Sequence, residues 1–256
     1  IFTTVLIQLI FNVLPRRSPK PRPPADIAPS ELAALCDAVI ASWRERFVFR
    51  EAIPASADAP AVPGLRRPQV GALYAALAHA TSSNDPATII MPTGTGKTET
   101  MLAIHAHERI ARLMVVVPTD ALREQIARKF ETMGILQDQK CLPADILYPV
   151  VLRLNHIPKT LDEVDALFGR ANVIVTTIAI AGRAAPEVQE RMAQTAGALF
   201  IDEAHHIKAP TWREFRAWFM RSAGAKPIYQ FTATPFREDG GKVDGKFIYY
   251  YPLRKA

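Results

Sequence analysis

The sequence predicts an α/β fold built on a mainly parallel, doubly wound sheet with helices on both faces. Three observations predict it. From Leu65 onward short β-branched apolar runs alternate with stretches at helical spacing. Those runs read as strands buried on both faces, the mark of a parallel sheet covered by crossover helices. The polar, chemically capable residues fall at the ends of the runs, where open α/β sheets bind their ligands.

The 256 residues suffice for one sizeable domain with extensions, and 49% apolar with 22% charged residues excludes a disordered chain. The net charge of +6 suits a polyanionic partner. Much of it, however, sits in Arg16, Arg17, Lys20 and Arg22, so charge alone says little about nucleic acid. Cys36 and Cys141 stand far apart in no metal-ligand spacing, which argues against a disulfide framework and for a reducing cytoplasm.

The stretch from Ile1 to Leu14 is strongly apolar, yet shorter than the roughly 20 residues of a membrane-spanning helix. Its basic residues follow the apolar run, the reverse of a signal peptide. We read it as a fragment edge or misassigned start, with an interfacial anchor as the alternative, and expect no stable membrane insertion. Residues 15–29 hold six prolines among Arg and Lys and read as a linker. Ser30 is the expected N-cap of a helix presenting Leu32, Leu35, Val39 and Trp43 on one face. A Pro- and Ala-rich gap near 54–63 separates this extension, residues 30–64, from the main body at 65–256.

In the main body Pro68 opens a helix with Val70, Leu73, Tyr74 and Leu77 at helical spacing. Strands are expected at 87–91, 113–117, 146–152, 173–177, 198–201 and 227–231. One intervening helix starts at the capping box Thr160-Leu161-Asp162-Glu163 and stops at Gly169. Trp212, Phe215, Trp218 and Phe219 recur at helical spacing and read as a core face rather than a base-stacking platform.

Three segments carry chemistry. Met91-Pro92-Thr93-Gly94-Thr95-Gly96-Lys97-Thr98 follows the first strand of the main body. Glycines let backbone N–H groups wrap a phosphate, and the following helix offers its positive end. Lys97 would reach the β- and γ-phosphates of ATP, and the Thr98 hydroxyl would ligate Mg²⁺. The general pattern wants Gly where Met91 stands; the bland alternative is a Gly-rich turn that binds nothing. Next, Leu199-Phe200-Ile201 ends on Asp202-Glu203-Ala204-His205-His206. Asp202 would hold Mg²⁺, partly through water, and Glu203 would accept a proton from the attacking water if the fold brings it near Lys97. A lone acidic pair would more often cap a helix; zinc held by His205, His206, His105 and His107 fits no common ligand spacing. Third, Gln230-Phe231-Thr232-Ala233-Thr234-Pro235-Phe236-Arg237 places small hydroxyl residues where they could bond His205 and sense the nucleotide.

Together these segments resemble superfamily 2 helicases and translocases of the DEAD/DEAH class. Within that class the chain is similar to restriction-enzyme motor subunits (the type III Res subunit) and related phage-defence proteins. The resemblance covers roughly 65–256 with the motifs in order, and it accommodates Met91. It implies a RecA-like P-loop domain using ATP and Mg²⁺, with Lys97, Asp202 and Glu203 catalytic and residues 92–98 cradling the nucleotide. It also implies coupling by His205, Thr232 and Thr234, and an adenine-reading Gln69. Backbone contacts to nucleic acid, DNA rather than RNA on the Phe236-Arg237 extension, would come from Pro118, Thr119, Arg123, Thr176 and Thr177. For these and for Gln69 ordinary structural readings stand beside the functional ones: a helix start, strand residues, a solvated helix residue. The family's motors need a second RecA-like lobe supplying arginine fingers. The sequence leaves no room for it, so weak ATP hydrolysis by this lobe alone is expected. Rival readings are a nucleotide-dependent adaptor without turnover, an RNA helicase lobe, and a P-loop kinase, which would not explain Asp202 to His205 with Thr232 to Thr234.

Overall fold

The computed structural model describes residues 28–206, 209–222, 226–236 and 240–252, with backbone only at 206 and 209–212. The apolar start and Pro-rich stretch to residue 27, the Arg237-Glu238-Asp239 extension, the end from Leu253, and the side chains of His206 and Trp212 therefore lie outside the described residues.

Seven strands, β1 (Ala87–Ile90), β2 (Leu113–Val117), β3 (Val151–Arg153), β4 (Val173–Thr177), β5 (Ala198–Ile201), β6 (Ile228–Thr232) and β7 (Lys246–Tyr250), form one sheet. Its order is β3-β4-β2-β5-β6-β1-β7, and every pairing is parallel. The side chains alternate as period two requires. Ile89, Val115, Val175, Phe200 and Phe231 enter a core beneath helices α1 (Pro29–Ser42), α2 (Arg67–Ser82), α3 (Lys97–Glu108) and α4 (Asp120–Thr132). Met114, Val116, Ile174, Leu199, Ile201 and Ile228 enter a second core on the other face. That core is closed by α5 (Leu161–Phe168), the single turn α6 (Ile178–Ala181), α7 (Pro186–Thr195) and α8 (Ala209–Arg221). Both faces are covered, which is why the strands read as continuous apolar runs.

Helix α1 belongs to the main core. Trp43 is 1% exposed, and its indole N–H donates to the Leu147 carbonyl at 2.9 Å. The Cys36 carbonyl accepts from the Asn172 amide. The gap at 54–63 is a closed loop, pinned by reciprocal hydrogen bonds between Ile53 and Val62. The expected separation of helix and main body is thus a loop on one continuous core. Ser30 is not the N-cap: the helix starts at Pro29, with Ala28 in the cap position and no side-chain cap. Proline at the first helical position has its φ preset and lacks the N–H that would otherwise go unpaired.

The strand expected at 146–152 is realised only at Val151–Arg153. The backbone before it is spent elsewhere: Leu147 bonds Trp43 and Ser42, and the Val150 N–H donates to Asn172 Oδ1. The ladder can begin only after those bonds. Strand β6 runs one residue later than expected, which makes Thr232 its last residue, and β7 has no counterpart among the expected strands. At α5, Thr160 caps Glu163 as expected, but the Glu163 carboxylate accepts from the Lys159 N–H rather than closing the box on Thr160. Gly169 ends the helix without a left-handed turn. Phe215 and Phe219 are fully buried core residues, and Trp218 is half-buried beneath the Arg221 guanidinium. Among the described residues no helix is long and apolar enough to cross a membrane.

Candidate active site

The carboxyl ends of β1, β5 and β6 meet at one edge of the sheet. In chain order β1 and β5 are far apart; in the sheet only β6 separates them. Two strand spacings are roughly 9–10 Å, within reach of a long cation and a long acid extended toward each other. Lys97, first residue of α3, and Glu203, just past β5, do so: Nζ lies 3.1 Å from Oε1.

The loop leading to Lys97 is held from below. The Met91 N–H donates to the Thr232 carbonyl at 2.9 Å, so the loop departs from a point fixed by β6. The Thr95 hydroxyl and N–H both donate to the Pro92 carbonyl, closing a tight turn. Gly94 and Gly96 adopt φ of +83° and +96°, where a Cβ is strained. At Gly96 there is also no room: a Cβ would fall 2.0 Å from the Gln69 amide nitrogen. At Gly94, among the described residues, nothing lies within 4 Å of that position. The first N–H groups of α3, at Lys97 and Thr98, have no acceptor within the helix.

The acids arise from a sharp exit. The Asp202 N–H still pairs with the Val116 carbonyl, and then Glu203 turns to φ +51°. A left-handed glutamate is strain of the kind concentrated at functional sites. Asp202 is 4% exposed, and burial together with the Glu203 charge pushes its carboxyl up to about 6, against the pull of Lys97. Its Oδ1 accepts the Glu203 N–H at 3.0 Å. His205, in the 3₁₀ turn Ala204–His206, places Nδ1 3.0 Å from Thr232 Oγ1 and 3.4 Å from Glu203 Oε2. The Thr232 hydroxyl donates to the Thr234 carbonyl, so it accepts from His205, which fixes the proton on Nδ1. Asp202, Glu203, His205 and Thr232 thereby form one polar array with Lys97. The expected Thr234 joins it through its backbone, while its hydroxyl accepts from the Phe236 N–H.

The array fits magnesium ATP. Among the described residues Glu203 Oε2 and Gln69 Nε2 are buried without hydrogen-bond partners, Asp202 is a desolvated carboxylate that a cation would relieve, and nothing crowds Gly94. Gln69 lies in the first turn of α2, fully buried, its Oε1 accepting the Arg66 N–H at 2.7 Å. Its amide rests over Gly96, so it is not a solvated helix residue. Arg66, for which the sequence predicts no role, joins Gln69 here. Its guanidinium also overhangs Gly96, where a Cβ would come within 2.9 Å. The available signal was a cation three residues before Gln69.

The expected nucleic-acid residues share the same edge but not the same exposure. Pro118 and Thr119 follow β2, and Thr176 and Thr177 end β4, with Val117 registered on Thr177. Thr119 is exposed and caps α4, accepting from the Leu122 N–H. Thr176 is fully buried and donates to the Leu154 carbonyl, which takes its hydroxyl from the surface; Thr177 is buried as well. Arg123 is 8% exposed and folds back on Asp120 at 2.7 Å. Of the five, only Pro118 and Thr119 stand accessible on this edge. The histidines considered for zinc diverge: His105 is buried between Trp43 and Phe130, whereas His107 pairs with Glu108.

A family model described as "Type III restriction enzyme, res subunit" matches residues 63–237. No curated protein matches. Among solved structures, the chain is similar to the helicase domain of Hef from Pyrococcus furiosus, at 22% identity and a TM-score of 0.47 over 64% of this chain and 32% of that one. It is also similar to the UvsW helicase of bacteriophage T4, at 11% identity and a TM-score of 0.46 over 82% and 61% of the respective chains. A hypothetical ATP-dependent RNA helicase from Sulfolobus tokodaii gives 15% identity and a TM-score of 0.47 over 78% and 51%. The chain thus spans about a third to three fifths of the length of these proteins.

Proposed function

The chain belongs to the type III restriction enzyme res subunit family, as a superfamily 2 helicase ATP-binding lobe, and from that premise we propose that it is the ATP-hydrolysing half of a motor that moves on DNA. The observation that carries this reading is the 3.1 Å approach of Lys97 to Glu203 across the end of β6. A cation that would bind phosphate and an acid that would serve as general base then stand side by side.

Bound magnesium ATP supplies the phosphoanhydride whose hydrolysis drives movement. Residues 92–98 would cradle its phosphates through backbone N–H groups, with Lys97 leaving Glu203 to pair with them. The Thr98 hydroxyl and Asp202 would hold the metal, Asp202 partly through water. Glu203, once released by Lys97, is free to accept a proton from water. Arg66 and Gln69 lie against Gly96 from the side of α2 and would recognise the base. His205 bonds Thr232 and lies 3.4 Å from Glu203 Oε2, so it would carry the state of the general base to β6. Pro118 and Thr119 would grip the nucleic-acid backbone, a contact independent of sequence and weakened by salt. A second RecA-like lobe would complete the site, and this lobe alone would hydrolyse ATP slowly.

The test is ATP turnover by the chain joined to a second lobe, with duplex DNA, single-stranded DNA or RNA. Stimulation by DNA is the expected result. Stimulation by RNA alone replaces the track, and flat turnover with ATP still bound replaces the motor by a nucleotide-dependent adaptor.

A further inference from the structure

Residue 99 is a glutamate that the reading above leaves without a role. It follows Thr98 directly in the first turn of α3. There Glu99 Oε1 meets Lys129 Nζ at 2.9 Å, with the glutamate only 12% exposed. Lys129 belongs to the last turn of α4, the helix whose first residues follow Pro118 and Thr119.

The surroundings make this a specific joint. After Lys129 the chain turns through Met133 and Gly134, both left-handed, and the Gly134 N–H donates to the Lys129 carbonyl at 2.9 Å. A Cβ at Gly134 would lie 2.7 Å from Leu102 Cδ1, so the backbone of the turn rests directly on α3. On its opposite side α4 is clamped to the edge strand by Arg153, which pairs with Glu124 and Glu131. Helix α4 is therefore bracketed by two ionic contacts, one to the sheet edge and one to the helix that carries the phosphate loop. Ten residues of rigid helix, about 15 Å, separate Lys129 from Thr119.

We propose that Glu99 and Lys129 are positioning residues that couple the phosphate loop to the nucleic-acid edge at the start of α4. Lys97 opens the first turn of α3, so its exchange of Glu203 for a phosphate would load that turn. Glu99 lies in that turn, so its adjustment pulls on Lys129 and tilts α4 about the Arg153 clamp. Coupling of this kind is reciprocal: nucleotide changes oligonucleotide affinity by the factor with which oligonucleotide changes nucleotide affinity.

The inference rests on the ATP-site reading above, and its test separates the two. Binding of a fluorescein-labelled single-stranded oligonucleotide is measured by anisotropy with and without ATPγS and Mg²⁺, for the chain and for Glu99→Gln, Lys129→Met and the exchanged pair Glu99→Lys/Lys129→Glu. In the unaltered chain nucleotide should change oligonucleotide affinity by about fivefold or more. Each single variant should bind ATPγS alone and oligonucleotide alone as before but lose the linkage, and the exchanged pair should regain it. Linkage undiminished in the folded single variants overturns the proposal, as does its absence from the unaltered chain while ATPγS binds. Failure to bind ATPγS at all would instead overturn the site itself. A strut with only a structural role would lower the melting temperature and leave the linkage intact.

Discussion

Lys97 and Glu203 come within 3.1 Å although 106 residues separate them, since their strands flank β6. Each satisfies the other while the phosphates that Lys97 would hold are elsewhere. The lysine is 9% exposed, so removing one partner leaves a nearly buried charge uncompensated.

The first prediction follows from that pair. Lys97→Ala abolishes ATP binding, seen as loss of heat in titration calorimetry. Glu203→Gln keeps ATP affinity and, in the two-lobed protein, lowers turnover about 10²- to 10⁴-fold. Retained affinity in the first variant or full turnover in the second removes the assigned role.

Asp202→Asn should stabilise the unliganded fold near neutral pH. Its folded pKa of about 6 lies above the ordinary value of 3.8, so between those pH values the folded state holds more protons than the unfolded one. Stability is then greatest below about pH 4, declines as pH rises to about 6, and stays reduced above it. The whole effect is about 3 kcal/mol at most, or several degrees of melting temperature for a domain of this size. Thermal melts of both proteins from pH 4 to 8 should diverge with increasing pH. The variant should also lose any stabilisation by Mg²⁺ with ATP.

His105 points to a second stability gain. It is fully buried between Trp43 and Phe130, and among the described residues neither ring nitrogen has a hydrogen-bond partner. Burial lowers its pKa from 6.5 to about 3, so the unfolded chain takes up a proton there first and stability falls as pH drops below 6.5. His105→Leu should raise the unfolding free energy by about 1 kcal/mol, seen as a higher urea midpoint, and flatten the acid limb. An unchanged acid limb would show that His105 does not set it.

Trp43→Ala should destabilise the domain by about 3–5 kcal/mol, because the indole fills the core beneath α3 and donates to Leu147. Chemical denaturation should still give one transition. Two transitions would mark α1 as a separately folding extension.

The sequence by itself located the three polar segments at the ends of buried strands. Left-handed glycines, a lysine opening a helix, and paired acids after a buried strand are local requirements of phosphate and metal chemistry, and they appear as local patterns. It also determined the sheet class, since strands buried on both faces have only one common architecture. Tertiary structure alone decided which segments meet. The insertion of β6 between β1 and β5 joins Lys97 to Glu203, and His205 finds Thr232 through the same arrangement. Packing likewise drew α1 into the core, shortened β3 by claiming its backbone for Trp43, Ser42 and Asn172, and turned Thr176 and Arg123 inward. Periodicity says that a side chain faces a layer; it does not say what the other side of that layer holds. Burial and ion pairing depend on partners distant in sequence, and only the closed fold brings those partners together.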